Sequence, residues 1–333
     1  MSEASFSVSF AGPLVTFQDA GRPGNMRYGV AASGPMDKLA FDAAHAALGN
    51  NQGMNAIEIS LGGLVLECTD GAVSVAITGG DFVLQHGDQK SSSWTILTIR
   101  EGERLSISAG KAGSWAYLAF AGDVDAVDWL GSQATHSTSG FGGGFVRTGG
   151  QIKVSRASIR DDRVGGIVRP DFISQGPIRV VAGPQDHCFI QEALEHFGTA
   201  VFSVTEAYDR MGMRLSGPKL ELDGALSIPS EPIVRGSIQV SGDGVPTVLL
   251  ADHQTTGGYP KIATVISCDT DKLVQCRAGE KLRFLVISSE QATDHARGYF
   301  AQKAKYLDQI SVARGSLTTR LMRENLNHGW MSD

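Results

Sequence analysis

Long apolar runs are missing from the 333-residue sequence: Val248-Leu249-Leu250-Ala251 is typical, far short of the roughly 20 residues that cross a bilayer, so no membrane-spanning helix is expected. Cysteine is scarce. Cys68, Cys188, Cys268 and Cys276 form no C-x2-C pair, and the closest two have seven residues between them, which fits neither a zinc ribbon nor a disulfide scaffold and reads as reduced structural thiols. Positive charge is in deficit: 29 Lys and Arg against 35 Asp and Glu leave a net charge of −6. The basic residues are scattered, so the electrostatic footprint of a nucleic-acid binder is absent. The histidines show no H-x3-H or H-E-x-x-H spacing, so no metal site is expected. The P-loop lysine and the G-x-S-x-G elbow are missing too. Met1-Ser2-Glu3-Ala4-Ser5 has neither a basic nor a long apolar region; no signal peptide is expected, and the expected compartment is the cytoplasm.

Glycine, by contrast, is abundant, at 41 residues against about 7% in an average chain. With 42% hydrophobic and 19% charged residues the chain can bury a real core and is not disordered. Short runs of period two recur, among them 64–68, 73–77, 94–99, 105–108, 178–181, 199–205, 238–240, 247–250 and 282–287, with Gly-Gly, Asp-Gly or Glu-Gly between several of them. That rhythm predicts sandwich or barrel domains, with glycine serving turns and bulges, rather than alternating βαβ units. Helical texture is confined to 36–48, 186–197 and 292–308. The strand rhythm breaks between 160 and 177, which divides the chain into 1–170 and 171–333. The reading is mainly β: two barrel-like domains with a few helices.

Three stretches are dense in chemistry. The first, Gln18-Asp19-Ala20-Gly21-Arg22, runs on to Ser33-Gly34-Pro35-Met36-Asp37; it offers carboxylate, amide and guanidinium groups beside backbone N–H groups, suited to a small polar substrate, and it also reads as a solvated turn with an internal ion pair. The second contains Ser137-Thr138-Ser139 and Gly140-Phe141-Gly142-Gly143-Gly144; it resembles an anion-binding nest or a plain surface loop. In the third, Asp252-His253-Gln254-Thr255-Thr256-Gly257-Gly258-Tyr259-Pro260, Asp252 or His253 is a candidate base. The N–H groups of Gly257 and Gly258, with the hydroxyls of Thr255 and Thr256, are candidates for holding a substrate oxygen.

Taken in order along the chain, these stretches resemble one family. The matching motifs are Gln18-Asp19-x-Gly21-Arg22-x-Gly24, Ser33-Gly34-x-Met36-Asp37, Gly49-Asn50, Glu58, Leu130-Gly131-Ser132, Gly140-Phe141-Gly142-Gly143, Asp209-Arg210-Met211-Gly212 and Asp252-x-Gln254-Thr255-Thr256-Gly257-Gly258-Tyr259-Pro260. The family is that of KipA and the second subunit of allophanate hydrolase, a biotin-dependent carboxyltransferase family that includes the C subunit of bacterial ATP-dependent 5-oxoprolinase. The resemblance implies two cyclophilin-like β-barrel domains and a subunit of an amide-processing enzyme, first of all of the 5-oxoprolinase type, with ATP used by the assembled complex. It implies a first-subunit, KipI-like partner and a third, lactam-hydrolysing subunit, with a small amide as substrate. Two other roles stay open: a carboxyltransferase component acting on urea or a related amide, and a regulatory protein that antagonises a kinase inhibitor. Asp252, Thr255, Thr256, Gly257 and Gly258 are the expected catalytic set; Gln18, Asp19, Arg22, Asp37, His45, Asn50 and Tyr259 are expected to bind substrate. The chain departs from the family pattern at His45, where relatives often carry Asn, and at Gly150, where Asp is common. It has no Ala-Met-Lys-Met sequence, so biotin would have to come on another polypeptide.

Overall fold

The computed structural model describes residues 2–313 and 315, apart from 225 and 226. It is mostly β. Strands β1 (Glu3–Ala11), β2 (Thr16–Gln18), β3 (Ala56–Ile59), β4 (Leu64–Gly79), β5 (Phe82–His86), β6 (Gln89–Ser92), β7 (Thr95–Arg100), β8 (Arg104–Ala109), β9 (Ala116–Phe120), β10 (Asp123–Val124), β11 (Gln151–Ser155) and β12 (Gly165–Gly166) form one curled 12-stranded sheet, with helix α1 (Lys38–Leu48) inserted after β2. The period of two is plain in β1, where Ala4, Phe6 and Val8 are buried between more exposed neighbours.

A second sheet of eight strands, ordered β21-β14-β15-β18-β17-β20-β13-β22, begins at residue 178. Its members are β13 (Ile178–Ala182), β14 (Phe202–Tyr208), β15 (Gly212–Ser216), β17 (Ser237–Val240), β18 (Pro246–Leu249), β20 (Lys261–Val265), β21 (Lys281–Leu282) and β22 (Phe284–Ile287). Because β21 and β22 adjoin in sequence at opposite ends of that order, the sheet curls into a nearly closed barrel. A short ribbon of β16 (Glu231–Pro232) and β19 (Thr256–Gly257) stands apart from it. Helices α2 (Gln191–Thr199), α3 (Thr270–Val274) and α4 (Ser289–Ser311) complete the described chain.

Two expectations change in detail. Residues 64–68 and 73–77 read as two strands around an Asp-Gly turn, yet β4 runs unbroken for 16 residues. Gly71 takes a φ of 75° opposite Ala4, next to a bulge that skips Thr69 in the pairing with β1, and a Cβ on Gly71 would lie 2.1 Å from the Glu3 carbonyl oxygen. The strand bends there: residues 64–71 pair with β1 and β8, and 72–79 with β7 and β9. The helix expected at 186–197 begins as a single 3-10 turn over Asp186–Cys188, and α2 follows only from Gln191, because Phe189 bridges to Leu222 and is buried.

Each sheet has its own core. Phe6, Phe41, Ile57, Val75 and Phe120 belong to one; Val180, Phe202, Met213, Ile238 and Val248 belong to the other, which also takes Met36 and Trp115 from the first half of the chain. Helix α4, opened by a Ser288–Gln291 capping box, returns to α1, where Tyr306 and Leu307 pack on Leu39 and Ala43. Among the described residues no helix is long and apolar enough to cross a membrane.

Candidate functional site between the two sheets

The 209–212 turn joins β14 to β15 and is closed by the Asp209 carboxylate, which accepts the Met211 and Gly212 N–H groups at 2.7 and 3.1 Å. This turn drives Arg210 into the interior, where it is wholly buried. Its Nε and Nη2 form a 2.9 Å fork on Asp252, Nη1 donates to Glu58 on β3, and Nη2 also reaches the Gly34 carbonyl at 2.8 Å. Glu58 in turn accepts the Met36 N–H at 2.7 Å and the Tyr117 hydroxyl at 2.8 Å. Asp252 accepts the Ser137 N–H at 2.8 Å. One guanidinium therefore holds loops from both halves of the chain together. Burial by itself pushes the Asp252 carboxyl up, but the Arg210 charge and fork, with Ser137, hold it below its ordinary range.

These tied loops wall a cleft of about 420 Å³. The first half contributes Gly29–Ala31 and the 129–141 loop; the second contributes Met211 and residues 252–256. Trp129 and Phe141 stack with centroids 4.8 Å apart and planes 27° from parallel. The Arg22 guanidinium lies 4.9 Å from the Trp129 ring and donates to the Ala134 carbonyl. The Gly-rich stretch serves this packing: Gly142 has a φ of 92°, and a Cβ there would come within 2.1 Å of the Ala134 oxygen. On the opposite wall His253 donates its Nδ1–H to the Gln254 carbonyl at 2.6 Å, which leaves Nε2 with its lone pair. Burial pulls the His253 imidazole down, so it is neutral at pH 7 and acts as an acceptor.

The sequence and the whole fold match known proteins. The model of the carboxyltransferase domain, subdomain A and B, matches residues 28–286. The chain is 32% identical to the C subunit of 5-oxoprolinase from Haemophilus influenzae over 89% of its length and 94% of that protein. It is 32% identical to the protein of the same name from Escherichia coli over 90% and 96%. The chain belongs to the carboxyltransferase-domain family. The urea amidolyase of K. lactis superposes on 92% of it with a TM-score of 0.81 at 26% identity; the chain spans 20% of that much longer protein.

Within this carboxyltransferase-domain chain, the expected site residues fall into separate groups. Asp252, Thr255 and Thr256 line the cleft, but Asp252 is spent on Arg210 and Ser137 and is poorly placed to serve as a base. Gly257 is paired with Glu231 in the β16–β19 ribbon, and the Gly258 carbonyl accepts the Ile228 N–H at 2.8 Å; neither lines the cleft. Tyr259 is half-exposed and faces a neighbouring cavity. Gln18 and Asp19 brace the far side of the 129–141 loop: Gln18 donates to Thr16 and to the Thr135 carbonyl at 2.9 and 3.1 Å, and Asp19 accepts from Ser132 and the Gln133 N–H, both at 2.6 Å. Arg22, only 2% exposed, belongs with them and does not line the cleft.

Asp37 is the buried N-cap of α1. His45 and Asn50 sit at the other end of that helix, about 12 Å along the axis for His45 at 1.5 Å per residue. His45 packs edge-on to Phe41, and burial pulls its imidazole down to about 4; Asn50 donates to the Phe120 carbonyl at 2.8 Å. Sequence reasoning did not single out Trp129, Met211 or Arg210 as site residues. The available signal was a charged residue in a Gly-ended turn between two strands, Asp209-Arg210-Met211-Gly212.

Proposed function

We propose that this chain is a subunit of an ATP-dependent 5-oxoprolinase, which opens the lactam of 5-oxoproline to glutamate with a first-subunit, KipI-like partner and a third, lactam-hydrolysing subunit. The observation that carries this reading is the 32% identity to two bacterial 5-oxoprolinase subunits over nearly their whole length. The cleft supports it chemically. Hydrolysis of an amide needs donors for the carbonyl oxygen and an acceptor for a proton of the attacking water. Thr255 and Thr256 supply the hydroxyl donors, and the neutral His253 Nε2 is the acceptor. Trp129 and Phe141 offer a flat apolar wall to a planar amide. Among the described residues, neither lysine nor arginine lines the cleft, so a triphosphate finds no counter-charge there; ATP acts elsewhere on the assembled complex.

The fold match to a urea amidolyase favours a second reading, a carboxyltransferase component using biotin carried by another polypeptide. The same neutral groups suit a ureido ring, with Thr255 and Thr256 holding its oxygen; biotin, when bound, supplies the carboxyl group.

The test is to purify the chain with the proteins encoded beside it and measure glutamate release that depends on both ATP and 5-oxoproline. Removing an oxyanion-type donor costs on the order of 10²–10³ in rate, so Thr256→Val should lower kcat by that factor, and His253→Gln should lower it while flattening the acid limb of the pH profile. Wild-type kinetics in both variants would move the chemistry to a partner. Carboxylation of urea by a biotinylated protein, without glutamate release, would establish the second reading instead.

A further inference from the structure

The Ser137-Thr138-Ser139 stretch brings one more histidine with it to the cleft. His136 lines the wall opposite His253, in a loop that closes on itself: its N–H donates to the Phe141 carbonyl at 2.9 Å, and its carbonyl accepts the Gly140 N–H at 2.8 Å. Inside that turn the Ser139 N–H reaches His136 Nδ1 at 3.3 Å, and the Ser139 hydroxyl lies 2.8 Å from the same atom. A backbone N–H can only donate, so Nδ1 carries the lone pair and the hydroxyl donates to it as well. The ring proton therefore sits on Nε2. That nitrogen makes no hydrogen bond within the described residues and is not among the enclosed polar atoms. His136 is half-buried, so this N–H is open to the cleft its ring lines.

The two cleft histidines are thus set oppositely. A carbonyl can only accept, so Gln254 fixes the His253 proton on Nδ1 and leaves Nε2 as an acceptor; Ser139 does the reverse for His136. The wall from the second half of the chain offers the hydroxyls of Thr255 and Thr256 beside an acceptor. That suits the edge of a lactam, where C=O and N–H point the same way. The wall from the first half offers, beside its aromatic stack, a fixed donor, which calls for an acceptor on the ligand. Neither lysine nor arginine lines the cleft among the described residues, so a substrate carboxylate has to be met by neutral donors. Asp252, the carboxylate on the lining, is held by Arg210 and Ser137 and does not confront it as a free charge.

We propose that His136, held by Ser139, reads the carboxylate of 5-oxoproline: its Nε2–H donates to a carboxylate oxygen while Thr255, Thr256 and His253 hold the lactam edge. This rests on the 5-oxoprolinase reading and adds to it the group that selects the substrate. A hydrogen bond with one ionised partner is roughly twice as strong as one between neutral groups, so this contact separates 5-oxoproline from a lactam that lacks the carboxylate.

The test uses the chain purified with the proteins encoded beside it. The probes are 5-oxoproline and 2-pyrrolidinone, the same ring without the carboxylate, both titrated by calorimetry, with glutamate release followed in parallel. His136→Phe keeps a ring in the wall and removes the donor. It should weaken 5-oxoproline binding and raise its KM about tenfold or more, change kcat less, and leave 2-pyrrolidinone binding where it was. His136→Gln, which keeps an N–H, should recover most of the loss; Ser139→Ala, which removes a donor that holds the ring, should give a smaller loss of the same kind. In the wild type, imidazole nitrogen NMR should find His136 protonated on Nε2 and His253 on Nδ1. There 5-oxoproline, and not 2-pyrrolidinone, should shift the His136 signal, a readout that needs no variant to fold. Equal losses for both probes in His136→Phe, unchanged 5-oxoproline binding, or a His136 proton on Nδ1 would overturn the proposal. Absence of glutamate release from the wild type would overturn the 5-oxoprolinase reading instead, and the two titrations would still decide whether His136 reads the carboxylate. No binding of 5-oxoproline at all would overturn both.

Discussion

Two pairs of buried carboxylates lie where the halves of the molecule meet, and their surroundings differ. Glu58 and Asp252 flank the Arg210 guanidinium. Asp37 and Asp271 share the N-terminus of α1: Asp37 accepts the Ala40 N–H at 2.9 Å and the Gln275 amide at 2.8 Å, while Asp271 accepts the Lys38 and Leu39 N–H groups at 3.0 and 3.2 Å and the Tyr299 hydroxyl at 2.9 Å. The second pair has donors and the roughly half-unit positive charge of a helix end, but no cation between its members. Lys303, the nearby ammonium, is paired with Asp42 at 2.7 Å. The outcome differs accordingly: Asp252 is held below its ordinary value, whereas burial and the Asp271 charge raise Asp37 to about 7. Neutral donors and a helix end do not replace a full opposite charge when two carboxylates are buried together.

Removing the cation should give the largest effect. Arg210→Met leaves Glu58 and Asp252 without their counter-charge and should cost about 3–5 kcal/mol, read from the urea midpoint; a change below about 1 kcal/mol would mean that the network is not a structural tie. The pair without a cation should show itself as a pH slope. The folded chain holds the Asp37 proton up to about pH 7, while the unfolded chain releases it near pH 4. Between those values the folded state binds more protons, so stability falls as pH rises, by up to about 4 kcal/mol at 1.36 kcal/mol per unit. Asp37→Asn, which still caps a helix, should flatten that slope in denaturant titrations run from pH 4 to 8; an unchanged slope would place the titration elsewhere.

Asp252→Asn should be milder, about 1–3 kcal/mol, because a neutral amide can still meet Ser137 and part of the Arg210 fork. In the assembled enzyme it should lower kcat without shifting the pH profile; loss of a limb would restore Asp252 as the base. The smallest change is expected at the cleft rim, where Phe141→Ala removes the stack on Trp129, worth about 0.5–1.5 kcal/mol. It should raise KM for the amide more than it lowers stability.

Much of the fold was legible because it depends on near neighbours in sequence. The short-strand rhythm of 95–99, 105–108 and 238–240 and the Gly stop after α1 are local patterns, each with a local physical cause. Asp70-Gly71 misled for the same reason: the dipeptide favours a turn, and only pairing with β1, next to a bulge at Thr69, carries it through one long strand. The polar loops were legible as loops and their roles were not. Gln18, Asp19 and Arg22 have the composition of a binding loop, but each hydrogen-bonds residues of the 129–135 segment, more than a hundred positions away.

By itself, then, the sequence determined a mainly β chain with a few helices, its family, and the segments that carry polar chemistry, because periodicity, turn residues and motif order are properties of the linear chain. Only the tertiary structure decided which of those segments face each other. A strand face or a loop composition says which groups can form hydrogen bonds but not which partners reach them first. Arg210 is the clearest case. As a letter it is an ordinary charge in a turn; buried between Glu58, Gly34 and Asp252, it occupies the Asp252 carboxylate in the cleft wall that Asp252 shares with His253, Thr255 and Thr256.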